Sequence, residues 1–389
     1  MKAFLIAGEP SGDRLGGALM AGLCSLSPGV DFHGIGGAEM GARGLHSLFP
    51  MEELSVMGLA EVLPRYFALK RRIAQAAAAI IEVAPDVVIT IDSPDFCLRV
   101  LKLARAARPD LRTVHYVAPS VWAWRPGRAA RMAPLVDHVL ALLPFEPAYM
   151  QAAGMSCDFV GHPVVAEPHA TTEEVQAFRA AQGIGEAPII LVLPGSRRGE
   201  VDRLAPRFGA ALRRVLGGQP DARVVVPTVA AQADRLRALL SDWPGAPILL
   251  DPAHHPVTEK RAAFGAADVA LAASGTVSLE LAANGLPMVI AYDFHPLTRV
   301  VMRRMARIDT VTLVNLVSET RAVPEFLLEA CQPERIAPAL SELLADPDAR
   351  ARQVAAMELT MTRLGRGGPP PGLRAAKSVL SFLERKASV

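Results

Sequence analysis

The chain has little that would suit several common function classes. Of its 389 residues only 5% are aromatic and four are cysteine. Cys24, Cys97, Cys157 and Cys331 lie far apart, with no C-x-x-C pair, which disfavours both a zinc site and a disulfide framework and fits a reducing cytoplasm. No charge-free apolar run reaches the roughly 18 residues of a spanning helix, so none is expected. The stretch before the first glycine turn, Met1–Ile6, is too short to be a signal peptide. A net charge of +2 makes no general case for a nucleic-acid partner. What the chain does have is apolar mass: 51% hydrophobic and 21% charged residues, with a mean hydropathy of +0.26. That argues against global disorder and allows two or three ordinary domains. It also calls for a large core, a subunit interface or a greasy surface.

Short apolar runs alternate with longer helical patterns. Strands are expected at Lys2–Ala7, Val30–His33, Asp86–Ile91, Arg112–Val117, His138–Leu143 and Cys157–Val160. A second series comes at Pro188–Leu193, Arg223–Pro227, Pro247–Leu250, Val269–Ala272 and Pro287–Ala291. Strands spaced by helices imply βαβ crossovers and parallel sheets. The expected class is α/β, with two doubly wound Rossmann-like domains facing across a cleft. The proline-rich "GHPVVAEPHATT" supplies a linker near 161–172, ahead of a helix start at Thr171-Thr172-Glu173-Glu174. This divides the chain into 1–165 and 166–389, with a final helix at about 370–386 that could pack back on the first domain or on a partner subunit. Ligands of such sheets bind beyond the carboxyl ends of the strands, so strand-end residues are the candidates.

"AGEPSGDRLGG" follows the first strand where a dinucleotide loop would sit, yet Gly8, Gly12, Gly16 and Gly17 do not make G-x-G-x-x-G. Glu9 and Asp13 would repel a pyrophosphate. With Ser11 they offer acceptors, suited to something bearing hydroxyls; the alternative is that Ser11 or Asp13 only caps the next helix. In "VVITIDSPDF" a strand ends on Asp92, Ser93 can cap the following helix, and Pro94 suits its first position. Asp95 then stabilises the helix dipole. Asp92 is left to accept a proton from a substrate hydroxyl. "HYVAPSVWAWRPGR" carries Trp122, Trp124 and Arg125, which suit a sugar face or an acidic head group, or equally a packed core. His162 beside a proline reads as structural.

In "LVLPGSRRGEV", Gly195-Ser196 can expose N–H groups at a helix start and Arg197 adds a cationic fork, a diphosphate clamp by type; an ordinary turn with solvated arginines is the other reading. In "LAASGTVSLELAANG", Ser274-Gly275-Thr276 suit a phosphate, and Glu280 could reach a ribose diol. Together these describe a nucleotide-diphosphate pocket in the second domain. Two basic amphipathic stretches, 55–73 and 299–307, could lie on an anionic membrane surface or simply be solvated helix faces.

"AGEPSGDRLGG", "MEELSVMGLAEVL", "IDSPDF", "HYVAPSVWAWR", "LLPFE", "FVGHPV", "LPGSRRGEV", "ASGTVSLELA" and "LVNLV…VPEFL" occur in this order, from residue 7 to about 330. In these motifs the chain resembles the lipid-A-disaccharide synthases, bacterial glycosyltransferases of the GT-B type. The resemblance implies transfer of 2,3-diacylglucosamine from UDP-2,3-diacylglucosamine to the 6-hydroxyl of 2,3-diacylglucosamine 1-phosphate. The products would be a β-1,6-linked disaccharide 1-phosphate and UDP. It further implies inversion at the anomeric centre, no cofactor or tightly bound metal, peripheral action on the cytoplasmic face of the inner membrane, and a homodimer with swapped C-terminal parts. By residue, Asp92 falls on the family's essential aspartate, a candidate general base, and Glu9 on its motif glutamate in the acceptor-side loop. Arg197 with Ser196, Ser274, Gly275, Thr276, Glu280 and Asn315 fall on the donor side. Ser11, Asp13, Trp124 and Arg125 are assigned to acceptor or sugar, and Val56, Met57 and Leu59 to acyl chains or membrane. Asp293, where the family often carries a basic residue, is a departure, and so is the proline-rich lead-in to the last helix. A UDP-sugar epimerase or hydrolase on the same scaffold is the alternative, and a non-catalytic nucleotide-sugar or lipid binder a further one.

Overall fold

A computed structural model describes residues 1–54, 59–125, 127–294 and 309–387, with backbone alone at 59–66 and 386–387. The chain divides into two compact units, Met1–Ala166 with Gly367–Val389, and Glu167–Arg366.

Unit 1 runs β1 (Lys2–Ala7), α1 (Pro10–Leu26), β2 (Asp31–Ile35), α2 (Ala38–Gly41), β3 (His46–Ser47), α3 (Leu59–Val83), β4 (Val87–Ile91), α4 (Pro94–Ala107), β5 (Thr113–Tyr116), α5 (Gly127–Met132), β6 (His138–Ala141), α6 (Glu146–Ala152) and β7 (Ser156–Phe159). Its seven strands lie in the order β3-β2-β1-β4-β5-β6-β7, and every pairing is parallel. Helices on both faces bury the central strands completely, which is why β4 reads Val-Val-Ile-Thr-Ile without alternation. Unit 2 runs α7 (Thr172–Ala181), β8 (Ile189–Leu193), α8 (Arg198–Gly218), β9 (Arg223–Pro227), α9 (Ala233–Leu240), β10 (Ile248–Leu250), α10 (Val257–Ala266), β11 (Val269–Ala272), α11 (Val277–Ala283), β12 (Met288–Tyr292), α12 (Leu313–Ser318), β13 (Glu325–Leu327), α13 (Pro333–Ala345) and α14 (Pro347–Arg363). Its strand order is β10-β9-β8-β11-β12-β13, again parallel throughout. The expected helix start at Thr171 is a full capping box: its hydroxyl accepts from the Glu174 N–H at 3.2 Å, and its own N–H donates to Glu174 at 2.9 Å.

Both sheets are therefore doubly wound α/β, as expected. The structure adds two strands, β3 and β13, to those read from the sequence; each is two or three residues long, too short to carry a period. The closing helix α15 (Pro371–Ala387) belongs to unit 1. It lies so close to α1 that a Cβ on Gly22 would sit 2.6 Å from the Gly372 carbonyl oxygen, which only glycine permits. Ser378 bridges His138 Nε2 (2.8 Å) and Asp158 (2.7 Å), and Phe382 stacks on the His138 ring at 5.1 Å.

Among the described residues, buried apolar side chains gather into clusters within each unit. One gathers around Phe4, Ile89 and Tyr116, another around Phe208, Leu212 and Val289. Burial holds the imidazoles of His115, His138 and His162, all in unit 1, down at about 4. The unfolded chain takes up these protons from about pH 6.5 downward while the folded chain does not. Stability is thus full above pH 6.5 and is lost as pH falls towards 4. Glu146, raised to about 7 by burial, works in the opposite direction, three groups against one. Among the described residues unit 2 has no buried histidine. Acidification from pH 7 to 5 should cost unit 1 about 2 kcal/mol per histidine, offset in part by Glu146. Hydrogen exchange corrected for intrinsic rates should show unit 1 opening before unit 2; equal loss in both would refute the assignment.

Candidate active site

In unit 1 the strand order reverses between β1 and β4, which pair with Ala7 opposite Ile91. Glu9 and Asp92 come directly after these two strands, so both stand at the switch point where ligands of open parallel sheets bind. Glu9 is the extended residue just before α1, partly buried, its carbonyl accepting from the Asp13 N–H at 2.9 Å. Asp92 is half-buried and takes φ +51°, with Ser93 next at +43°. Its N–H continues the ladder to the Tyr116 carbonyl at 2.9 Å. One strand further along, Val117 has φ +82°, an outlier for a β-branched residue. Three left-handed non-glycine residues on two adjacent strand ends store strain of the kind found at working sites. Gly8 fits this lip: a Cβ there would meet the Ser93 hydroxyl at 2.6 Å.

Several expectations change in unit 1. The Ser93 hydroxyl does not cap α4; its carbonyl accepts the Phe96 and Cys97 N–H groups instead. Asp13 is engaged by the backbone at the start of α2. It is 4% exposed and takes the N–H groups of Gly37 (2.7 Å), Glu39 (2.9 Å) and Met40 (3.1 Å), capping α2 rather than its own helix. Ser11 is exposed on the first turn of α1 and does not cap it. Trp124 is partly buried beneath two cations, with Arg125 4.2 Å and Arg128 5.7 Å from its ring centroid, and Arg128 reaches Asp95 at 4.0 Å. This ties the tryptophan loop to the start of α4. Trp122 packs edge-on to Phe145 and donates to Glu146 at 3.2 Å. Glu146 also accepts from the Leu142 and Leu143 N–H groups. Glu146 is not among the candidate residues read from the sequence; the "LLPFE" motif contains it without announcing a role for its acid. Val56 and Met57 lie outside the described residues, as does 299–307, and of the Leu59 side chain nothing is described.

In unit 2 the order reverses between β8 and β11, paired with Leu193 opposite Ala272. The loops holding Arg197 and Ser274 leave these neighbouring ends, and the Ala273 N–H reaches the Leu193 carbonyl at 2.8 Å. Gly195 at φ +113° and Gly275 at +156° make the two turns. The Ser274 and Thr276 hydroxyls have no protein partner among the described residues, and the space a Cβ would take at Gly275 is open. Glu280 is half-buried and paired to Lys260 at 3.2 Å.

Two donor-side expectations need correction. The N–H groups of Ser196 and Arg197 are not held open for an anion: both donate to the buried Glu200 carboxylate, at 3.2 and 3.3 Å. What the loop offers outward is the Arg197 guanidinium, 65% exposed. Asn315 is fully buried in α12 and spends its amide on the segments flanking that helix, donating to Val323 (2.9 Å) and Thr310 and accepting the Val323 N–H at 3.0 Å.

Residues 3–367 match the family model for lipid-A-disaccharide synthetase. The chain belongs to the lipid-A-disaccharide synthase family. It is 65% identical over 387 residues to the lipid-A-disaccharide synthase of Ruegeria pomeroyi, covering 98% of this chain and 96% of the relative. With that of Rhodospirillum centenum the identity is 48% over 386 residues, covering 98% and 95%. It is accordingly a glycosyltransferase of lipid A biosynthesis. Among solved structures, the UDP-GlcNAc 2-epimerase from Neisseria meningitidis bound to UDP-GlcNAc superposes with a TM-score of 0.66 at 13% identity, covering 99% of this chain and all of that one. That likeness is one of fold. A family of UDP-sugar glycosyltransferases therefore shares its two-sheet scaffold with an epimerase.

The Asp13 correction is testable. Asp13→Ala should leave buried N–H groups of residues 37–40 unpaired and cost about 2–3 kcal/mol in urea unfolding. Asp13→Asn should fold and leave the acceptor KM unchanged; a KM rise in a stable Asp13→Asn would return the residue to the acceptor site.

Proposed function

We propose that the chain transfers 2,3-diacylglucosamine from UDP-2,3-diacylglucosamine to the 6-hydroxyl of 2,3-diacylglucosamine 1-phosphate, with Asp92 as general base. The observation that carries the assignment is Asp92 itself: an acid at the sheet's switch point, held in a left-handed conformation, on the family's motif. In a single displacement the acceptor oxygen attacks C1, its proton passes to the Asp92 carboxylate, and the bond from C1 to the UDP oxygen breaks. The anomeric centre inverts, and the new link is β-1,6. Glu9, after the strand that pairs with the one ending at Asp92, orients the acceptor. The Trp124 ring under Arg125 and Arg128 suits a sugar face flanked by the acceptor's 1-phosphate.

The leaving diphosphate falls to unit 2. Arg197 supplies charge, the Ser274 and Thr276 hydroxyls supply donors, and Glu280 accepts from the ribose. Aligned donors and a cation at a developing anion are typically worth about 10²–10³ in rate each. No metal or cofactor is assigned a part. A peripheral station on the cytoplasmic face of the inner membrane, with acyl contact through the stretch containing Val56, Met57 and Leu59, and a homodimer are part of this reading; among the described residues no helix is long and apolar enough to cross a membrane.

Asp92→Asn should lower kcat about 10²- to 10⁴-fold while UDP binds as before. Normal turnover by that variant removes Asp92 as the base. Arg197→Ala should weaken UDP about tenfold or more by calorimetry, since a charge-assisted contact is lost. The epimerase alternative predicts turnover of the UDP-sugar alone; the transfer reading predicts disaccharide only when both lipid sugars are present.

A further inference from the structure

The acid of the donor-side loop takes no part in the displacement itself. Glu200 lies one turn into α8 and is 8% exposed. One of its oxygens accepts the Ser196 and Arg197 N–H groups, at 3.2 and 3.3 Å. The other accepts Arg197 Nη1 at 3.2 Å and the Tyr292 hydroxyl at 2.9 Å. Gly195 is shaped around it: a Cβ there would sit 2.7 Å from the carboxylate. Tyr292 ends β12, the strand next to β11, so the contact spans from the loop after β8 to the far side of the switch point. Burial and the nearby Glu200 charge push the Tyr292 phenol up to about 12, so it stays a donor at neutral pH.

We propose that Glu200, anchored by Tyr292, is a positioning residue that acts through Arg197. It satisfies the backbone of the turn itself, so the loop meets an anion with the guanidinium rather than with N–H groups. It also holds that guanidinium by one edge, leaving the remaining donors of the fork turned to solvent. The proposal rests on the reading of Arg197 as a diphosphate contact, and the test separates the two.

The variants are Glu200→Gln, which keeps the shape but faces an amide NH₂ towards donors, and Tyr292→Phe, which removes one anchor and should fold. Two readouts are needed. Phenylglyoxal labelling of Arg197, with peptide mass spectrometry and the neighbouring Arg198 as internal reference, reports the guanidinium without any substrate. It should rise about twofold or more in both variants as a charge-assisted contact is loosened. UDP affinity by calorimetry should fall about tenfold in Glu200→Gln and less in Tyr292→Phe, with the donor KM rising in step and the acceptor KM unchanged. In an Arg197→Ala background the same substitutions should change UDP affinity less than about twofold, as coupled residues do.

Unchanged labelling and affinity in both variants overturn the proposal. So does an equal affinity loss with and without Arg197, which would mean Glu200 acts on the fold rather than through the arginine. If Arg197→Ala leaves UDP binding intact while labelling still responds to Tyr292→Phe, the positioning claim stands and the diphosphate reading of Arg197 falls.

Discussion

A parallel sheet covers the carboxyl ends of its strands with its own crossovers except where neighbouring crossovers leave towards opposite faces. That single constraint organises the chain. In unit 1 it falls between β1 and β4, and in unit 2 between β8 and β11. Four of the candidate site loops leave these strand ends: Glu9 after β1, Asp92 after β4, Arg197 after β8, Ser274–Thr276 after β11; the Trp124–Arg125 loop leaves β5 beside them. Two copies of one topology thus carry acids at the strand ends of unit 1 and an arginine with hydroxyls at those of unit 2.

A second theme is how loops in both units are held, the Arg197 loop among them. Carboxylates, not backbone contacts alone, fasten them. Asp13 takes three N–H groups at the start of α2, Glu146 takes those of Leu142 and Leu143, and Glu200 those of Ser196 and Arg197. Glu325 does the same for Val311 and Thr312 while binding the Thr310 hydroxyl at 2.8 Å. A carboxylate accepting backbone N–H groups gains charge-assisted bonds without a mobile cation. For Glu146 burial wins over these bonds and raises the acid to about 7. Its hold on Trp122 and on the 142–143 turn therefore changes character near neutral pH.

This clamping explains which parts of the site are legible in the sequence. Strand runs such as Val87–Ile91 show a buried sheet without any structure, because both faces are covered and alternation vanishes. Asp92 is legible too: a strand with Ser-Pro after its last acid marks the helix start and leaves that acid at the lip. Asp13 is not, because its partners lie 24 to 27 residues away and nothing local announces them. Glu200 sits three residues after Arg197, where an acid reads as an ordinary first-turn charge; its link to Tyr292 spans 92 residues. Asn315, taken to the donor side on the resemblance, lies inside α12, and its buried amide ties that helix to Thr310 and Val323, 5 and 8 residues away.

The strained lip around Asp92 shows how the fold tolerates its own cost. Left-handed conformations at Asp92, Ser93 and Val117 are each unfavourable by about 1–3 kcal/mol. They persist because the ladder does not stop at the strand ends: the Asp92 N–H still reaches the Tyr116 carbonyl, and the Val117 N–H the Leu140 carbonyl at 3.0 Å. Gly8 gives up a side chain so that Ser93 can enter, and Pro94 starts α4 at once with its φ already set. The chain is thereby forced to turn within one residue of a fully buried strand. A looser turn would relieve the strain but carry the acid away from β1 and Glu9. The extended ladder and the packing at Gly8 bear the cost of these backbone angles and so keep a carboxylate at the edge of a sheet whose central strands are buried on both faces.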